Sequence, residues 1–174
     1  MERILKDSRG IKLLSDEKKN IVIFPMGKGI GETLNGEKIE AILVSYHPIE
    51  LKYPYSEDEL AEKIKQGIEY WCKFPAYDNF SGRNTFEEKY YGIKGFKNAV
   101  KGNRYFDIGW DEWFGVYVDL MLPCKSGYAY IGIEKRELPN DADWIDFAKA
   151  VIELINKDLT EFKTFKTYKS KLNI

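Results

Sequence analysis

A strand–turn–helix pattern that occurs twice constrains the fold of this chain more than any other feature. The first copy covers residues 53–64 and the second covers residues 138–151. In each copy a strand stops at a proline, acidic residues follow, and an amphipathic helix begins, as is typical of a helix N-terminus. Leu60-Ala61 in the first copy corresponds to Phe147-Ala148 in the second. The pattern predicts a packed α+β scaffold in which two helices each bury one apolar stripe. In the second helix we expect this stripe to consist of Trp144, Ile145, Ala148, Val151, Ile152 and Ile155.

The composition indicates a folded globular chain with an unusual share of aromatic residues. Of 174 residues, 44% are hydrophobic and 32% are charged, which fits one domain with a real core. The formal net charge of −1 predicts neither nucleic acid nor an anionic membrane as a partner. Aromatic residues reach 15%, and Tyr and Trp are the side chains that serve interfaces, because one end is apolar and the other hydrogen-bonds.

The sequence predicts a cytoplasmic protein. Residues 1–7 contain no long apolar stretch, and no apolar run approaches the roughly 20 residues that a membrane-spanning helix needs. The two cysteines, Cys72 and Cys124, are too few for a disulfide framework. We expect both to be free thiols in a reducing compartment.

Hydrophobic periodicity and turn residues divide the chain into predicted elements. Strands are predicted at 11–14, 20–24, 39–46, 49–53, 104–110, 113–122 and 128–138, and helices at 56–72, 84–91, 93–100 and about 141–157. We expect a glycine-rich loop at 26–36. The strand at 39–46 is apolar on both faces, so we expect it to lie centrally in the sheet. Short connections predict that the last three strands form an antiparallel meander.

These elements predict a single α+β domain. It consists of a twisted, mainly antiparallel sheet with two amphipathic helices packed on one face and short extra helices between them. The domain is expected to cover residues 1–157 and to contain the strand–turn–helix duplication. Residues 158–174 form a basic, aromatic tail, which is either an appended helix or partly disordered. Such a tail could bind nucleic acid, but it is short and has no second basic cluster beside it, so no direct nucleic-acid partner is predicted.

The predicted meander has one aliphatic face and one face that is aromatic and acidic, because side chains alternate along a strand. The second of these faces is expected to carry Tyr105, Asp107, Trp113, Tyr117, Asp119, Tyr128, Tyr130 and Glu134. In one interpretation the tail or the N-terminal strands cover this face, and its tyrosines fill space. In the other the face is partly open, aromatic side chains anchor a partner, and carboxylates speed association with a basic surface.

The second interpretation gives a set of candidate partner-binding residues. They are Asp107, Asp111, Glu112, Trp113, Tyr117, Asp119, Tyr128, Tyr130 and Glu134. A weaker second patch consists of Glu57, Asp58, Glu59 and Glu62. These acids also fit the first turn of a helix, where negative charge is favourable.

The sequence contains no recognisable catalytic or metal-binding constellation. His47 is the only histidine, so a histidine metal triad and a pair of acid–base histidines are both excluded. Cys72 could act as a nucleophile with His47 as its base, but it falls on the buried stripe of a predicted helix. We therefore predict that the protein is not an enzyme, and we expect no cofactor, no metal and no small-molecule substrate.

Three segments resemble a known family. They are residues 92–102 (GIKGFKNAVKG), 111–118 (DEWFGVYV) and 123–132 (PCKSGYAYIG). Together they resemble the small immunity proteins of bacterial contact-dependent growth inhibition systems, over roughly residues 41–155. The resemblance implies a cytoplasmic protein that binds the C-terminal toxin domain of a surface effector, with 1:1 stoichiometry, and blocks it. It transfers no site residues to this chain.

The function expected from this resemblance is toxin neutralisation without catalysis. Many such toxins are nucleases with a basic cleft, which an inhibitor with local carboxylates would fit. Two alternatives stay open. One is a binding or scaffold module for another protein or a carbohydrate that uses the same aromatic face. The other is a small hydrolase whose turnover would depend on His47 or Cys72.

Overall fold

The computed structural model describes residues 10–32, 37–44, 47–73, 85–113, 115–123 and 130–158. These residues form one α+β domain with seven strands and four helices. In chain order they are β1 (Ile11–Ser15), β2 (Ile21–Glu32), β3 (Lys38–Val44), β4 (Ile49–Leu51), α1 (Glu57–Lys73), α2 (Phe86–Tyr91), α3 (Phe96–Ala99), β5 (Arg104–Asp111), β6 (Gly115–Pro123), β7 (Tyr130–Leu138) and α4 (Trp144–Asn156). The predicted fold class is confirmed.

All strand pairs of the sheet are antiparallel in the described part of the chain. The strand order is β3-β2-β1-β5-β6-β7, and β4 also pairs with β2. β1 and β5 lie side by side at the centre and join two halves of the sheet. One half runs β1, β2, β4 and then α1, and the other runs β5, β6, β7 and then α4. Both halves therefore have the same order of three strands followed by a helix, and β3 is an additional strand in the first half.

β2 and β3 differ from the prediction. The loop expected at 26–36 is wrong over 26–32, because β2 continues to Glu32 and pairs there with β3. A glycine keeps its N–H and C=O groups, so a glycine-rich stretch still forms a ladder when a neighbouring strand supplies partners. The central position expected for the strand at 39–46 is also wrong. β3 is the last strand of the sheet order, and β2 is its only described pairing partner.

α1 and α4 pack together on one face of the sheet, which we call the helix face. The fully or almost fully buried apolar side chains of this core are Ile11, Leu13, Ile21, Ile23, Leu60, Ile64, Ile68, Phe106, Ile108, Val116, Val118, Leu120, Phe147, Ala148, Val151 and Leu154. Gly67 lets α1 approach the sheet closely, because a Cβ atom at this position would lie 2.8 Å from Cγ2 of Ile23. Most of the apolar burial of the domain is on this face.

α1 begins within one residue of its predicted start, and α4 begins at Trp144, three residues after its predicted start at about 141. At α1, the Glu59 N–H donates to Ser56 Oγ at 3.1 Å, and the Ser56 N–H donates to the Glu59 carboxylate at 2.7 Å. Asp143 and Asp146 form the same reciprocal cap at α4. Such capping boxes satisfy N–H groups that the helix itself leaves without partners.

The buried stripe of α4 differs from the expected one. The sequence favoured Trp144, Ile145, Ala148, Val151, Ile152 and Ile155. The structure buries Phe147 and Leu154 completely, whereas Trp144, Ile145 and Ile152 are only partly buried. Apolar residues surround most of this helix, so periodicity alone does not select the face that meets the sheet.

A smaller apolar cluster lies on the opposite side of the sheet, which we call the second face. Leu14, Val22, Phe24 and Tyr105 contact aromatic side chains of α2 there. The Phe24 ring lies 4.7 Å from the Phe86 ring, between centroids, and 5.4 Å from the Tyr90 ring. α2 therefore covers the part of the second face that β1, β2 and the start of β5 provide.

Candidate functional site

Four charged side chains form a row across the second face. Strand register places Lys12 of β1, Asp107 of β5, Asp119 of β6 and Lys135 of β7 directly beside one another. We call them the charged row. Lys12 Nζ lies 2.7 Å from an Asp107 carboxylate oxygen. Lys135 Nζ lies 4.3 Å from the centroid of the Tyr117 ring, which is cation–π distance. Two carboxylates thus stand side by side in the middle, with one lysine at each end.

Asp119 is the member of the charged row whose negative charge is disfavoured by its surroundings. Its partial burial raises its pKa from 3.8 to about 6. Lys135 and Lys12 act against this rise, and the neighbouring Asp107 adds to it. A Cβ atom at Gly132 of β7 would lie 2.7 Å from an Asp119 oxygen, so the carboxylate rests close to this strand's backbone. The fold therefore holds a carboxylate where its negative charge is disfavoured.

The Lys12–Asp107 end of the charged row lies near the cluster under α2. The side chains of Lys12 and Asp107 are 17% and 20% exposed. Lys12 Nζ lies 5.5 Å from the centroid of the Tyr105 ring. Tyr105, which was expected to contribute to an open face, is only 3% exposed. Burial raises the pKa of its hydroxyl well above the usual value, so Tyr105 serves packing.

The turn between β5 and β6 carries an exposed aromatic side chain. Trp113 is 83% exposed. The other large apolar side chains that are exposed in the described part of the chain are Tyr53, at 53%, and Ile93, at 42%. Glu112 beside it is also exposed. Asp111 pairs with Gly115 through the backbone and closes the hairpin, and its side chain lies outside the described residues. Tryptophan is among the residues most enriched at binding hot spots, so we take Trp113 as a candidate anchor.

Glu134 lies on the helix face, so its predicted place on the aromatic and acidic face of the meander is wrong. β7 has one extra residue, Ile133, because Leu120 pairs with Glu134 while Met121 pairs with Gly132. Such a β-bulge shifts the alternation of side chains. Glu134 forms ion pairs with Arg136 of β7 and with Lys157, which directly follows α4.

The bulge also changes which residues of β7 belong to the second face. Lys135 and Glu137 occupy the positions beside Asp119 and Tyr117. Sequence reasoning missed Lys135 for this reason. It missed Lys12 because it did not predict that β1 pairs with β5. A lysine between Ile11 and Leu13 in an otherwise apolar strand was the available signal.

The remaining predicted residues are spread more widely. Tyr128 lies outside the described residues, and so does the side chain of Tyr130. The second acidic patch is exposed at the start of α1, where the Glu59 carboxylate also serves the helix cap. Tyr117, the turn at Trp113 and three residues of the charged row belong to the meander of β5, β6 and β7, and Lys12 lies beside it on β1. We take them together as the candidate binding surface.

The described residues form neither a metal site nor a membrane-spanning helix. Within the described ranges, no group of three or more His, Cys, Asp or Glu side chains is arranged to hold a metal ion. No helix formed by those residues has both the length and the apolar character needed to cross a membrane. Comparisons with protein-family models, with curated proteins and with solved structures found no match.

Proposed function

We propose that this protein is an immunity protein that binds the C-terminal toxin domain of a contact-dependent growth inhibition effector. It blocks that domain as a 1:1 partner in the cytoplasm, without catalysis. The observation that carries the proposal is Trp113, an indole that is 83% exposed on the turn between β5 and β6. Water solvates an indole poorly, and tryptophan is among the residues most enriched at binding hot spots.

The electrostatics of the second face support a binding role. Asp119 keeps a carboxylate at a position where burial raises its pKa to about 6, which costs stability at neutral pH. Groups whose pKa is perturbed in this way cluster at functional sites. Structural ion-pair networks also perturb pKa values, so Asp119 supports the proposal and Trp113 carries it.

The charges around this surface favour a basic partner. Glu137 is an exposed carboxylate beside Tyr117 on the second face, and Glu112 is exposed on the turn that carries Trp113. A toxin that binds nucleic acid has a basic cleft, and carboxylates at the edge of an interface steer such a surface into register. We therefore expect the partner to be a toxin domain with a basic active-site cleft, as nucleases have.

A survival assay tests the proposal directly. The chain is co-expressed with the C-terminal fragment of the effector encoded beside it, and the purified proteins are then mixed for measurement of the dissociation constant. We expect cells to survive and a 1:1 complex to form. Death of the cells and no complex with that fragment would contradict the proposal. So would turnover of a substrate by the pure protein.

A matched pair of variants tests whether Trp113 anchors the partner. Truncation of a hot-spot tryptophan costs about 2 kcal/mol or more, so Trp113→Ala should weaken binding by a factor of roughly 30 or more. Ile93→Ala removes another exposed apolar side chain, on the connection between α2 and α3, and should leave the dissociation constant unchanged. Equal effects of the two variants would reject this surface.

A further inference from the structure

The two aspartates of the charged row stand opposite each other on adjacent strands. Asp107 and Asp119 are direct cross-strand partners of β5 and β6. Side chains at such positions have Cβ atoms about 5 Å apart, and like charges there repel. Each aspartate has a lysine as its outer neighbour, so the charged row has no net charge when all four groups are ionised. A proton taken up by either aspartate would give it a net positive charge.

The surroundings of the two aspartates indicate which one takes the proton. Lys12 forms a close ion pair with Asp107 and stabilises its charge. Asp119 faces Lys12 and Asp107 at longer range, Tyr117 on its own strand, and Gly132 and Lys135 on β7. The Lys135 ammonium lies over the Tyr117 ring. Asp119 is therefore the less compensated carboxylate, in agreement with its pKa of about 6.

We propose that Asp119 is a proton-operated switch on the binding surface: in mildly acidic solution it takes up one proton from water, the charged row becomes positive, and a basic partner is held less tightly. This inference rests on the proposed function. The partner's cationic groups would favour ionised Asp119 in the complex, and linkage then requires that protonation oppose binding. With an ordinary aspartate pKa in the complex, the dissociation constant should rise about tenfold between pH 7 and pH 5.

The first test uses the free protein and needs no partner. Carbon NMR of the side-chain carboxyl groups, followed from pH 3 to pH 8, gives the titration midpoint of each aspartate. The Asp119→Asn variant assigns the signal. We expect a midpoint near pH 6 for Asp119. A midpoint below about 4.5 would overturn the switch, whether or not a toxin binds.

The second test measures the dissociation constant for the toxin fragment at about pH 5 and about pH 7. Wild-type protein should bind about tenfold more weakly at the lower pH. Asp119→Asn should lose this dependence, and Asp141→Asn, an exposed aspartate before α4, should keep it. A wild-type constant that does not change with pH, or a dependence that survives in Asp119→Asn, would overturn the switch. If Asp119 titrates near pH 6 but the protein forms no complex with the toxin fragment, the proposed function is overturned instead.

Discussion

The two faces of the sheet are built from alternate residues of the same strands and behave differently. On the helix face Ile11, Phe106 and Val118 are fully buried beneath α1 and α4. On the second face their chain neighbours Lys12, Asp107 and Asp119 belong to the charged row and remain partly exposed. Because one strand serves both faces, the helix face can supply stability while the second face changes without loss of the fold.

The largest expected effect comes from the helix face. Phe147 is fully buried in the core, and Phe147→Ala should lower the free energy of unfolding by about 3–5 kcal/mol. Urea denaturation measures this loss. Trp113→Ala on the exposed turn should change the same quantity by less than about 0.5 kcal/mol. A larger loss for Trp113→Ala than for Phe147→Ala would contradict the comparison.

A smaller effect is expected at the cap of α4, which fixes the start of a helix on the helix face. The Asp143 carboxylate accepts from the N–H groups of Ile145 and Asp146 at 2.9 and 3.1 Å. Asp143→Ala should therefore lower the free energy of unfolding by about 1 kcal/mol. Asp141→Ala removes an exposed carboxylate two residues earlier and serves as the control. Thermal or urea denaturation that ranks the two variants equally would count against the cap.

On the second face a substitution should stabilise the protein. The pKa of Asp119 in the folded state, about 6, lies above its ordinary value of 3.8, so the folded state binds the proton more tightly than the unfolded state. Stability contributed by this group is therefore present below pH 4 and is lost as pH rises through about 6. Asp119→Asn removes the charge and should raise the free energy of unfolding at pH 7.5. The side chain is partly solvated, so we expect a gain on the order of 1 kcal/mol or less.

The same comparison at low pH is the control for this prediction. The gain should shrink towards zero at about pH 3, where the wild-type carboxyl group is mostly protonated in both states. Urea denaturation of both proteins at the two pH values measures the difference. A loss of stability at pH 7.5 would show that Lys135 and Lys12 outweigh desolvation at this position.

The smallest expected effect lies at the junction of β7 and α4. Arg136 donates to the Glu153 carboxylate at 2.7 Å, but the Glu153 side chain is 63% exposed. Exposed ion pairs contribute little and are screened by salt, so Glu153→Gln should cost less than about 0.5 kcal/mol. Unfolding at low and high salt concentration checks this. A loss above about 1 kcal/mol that persists in high salt would require a packing role for Glu153.

The sequence predicted features that depend on neighbours along the chain. The spacing of Ser56 and Glu59 identified the start of α1, and the alternation of Phe106 and Ile108 identified the buried face of β5. Features that depend on distant pairing were not predictable. The charged row exists only because β1 lies beside β5, and Glu134 moves to the helix face because of one bulge. A one-residue irregularity leaves no clear mark on hydrophobic periodicity.

Amide hydrogen exchange of the free protein and of its complex with the toxin fragment tests the central claim most directly. We predict that binding slows exchange over β5, the turn at Trp113 and β6, and leaves α4 unchanged. Protection confined to α1 and α4, with unchanged exchange from 104 to 123, would contradict the assignment of the binding surface to the second face.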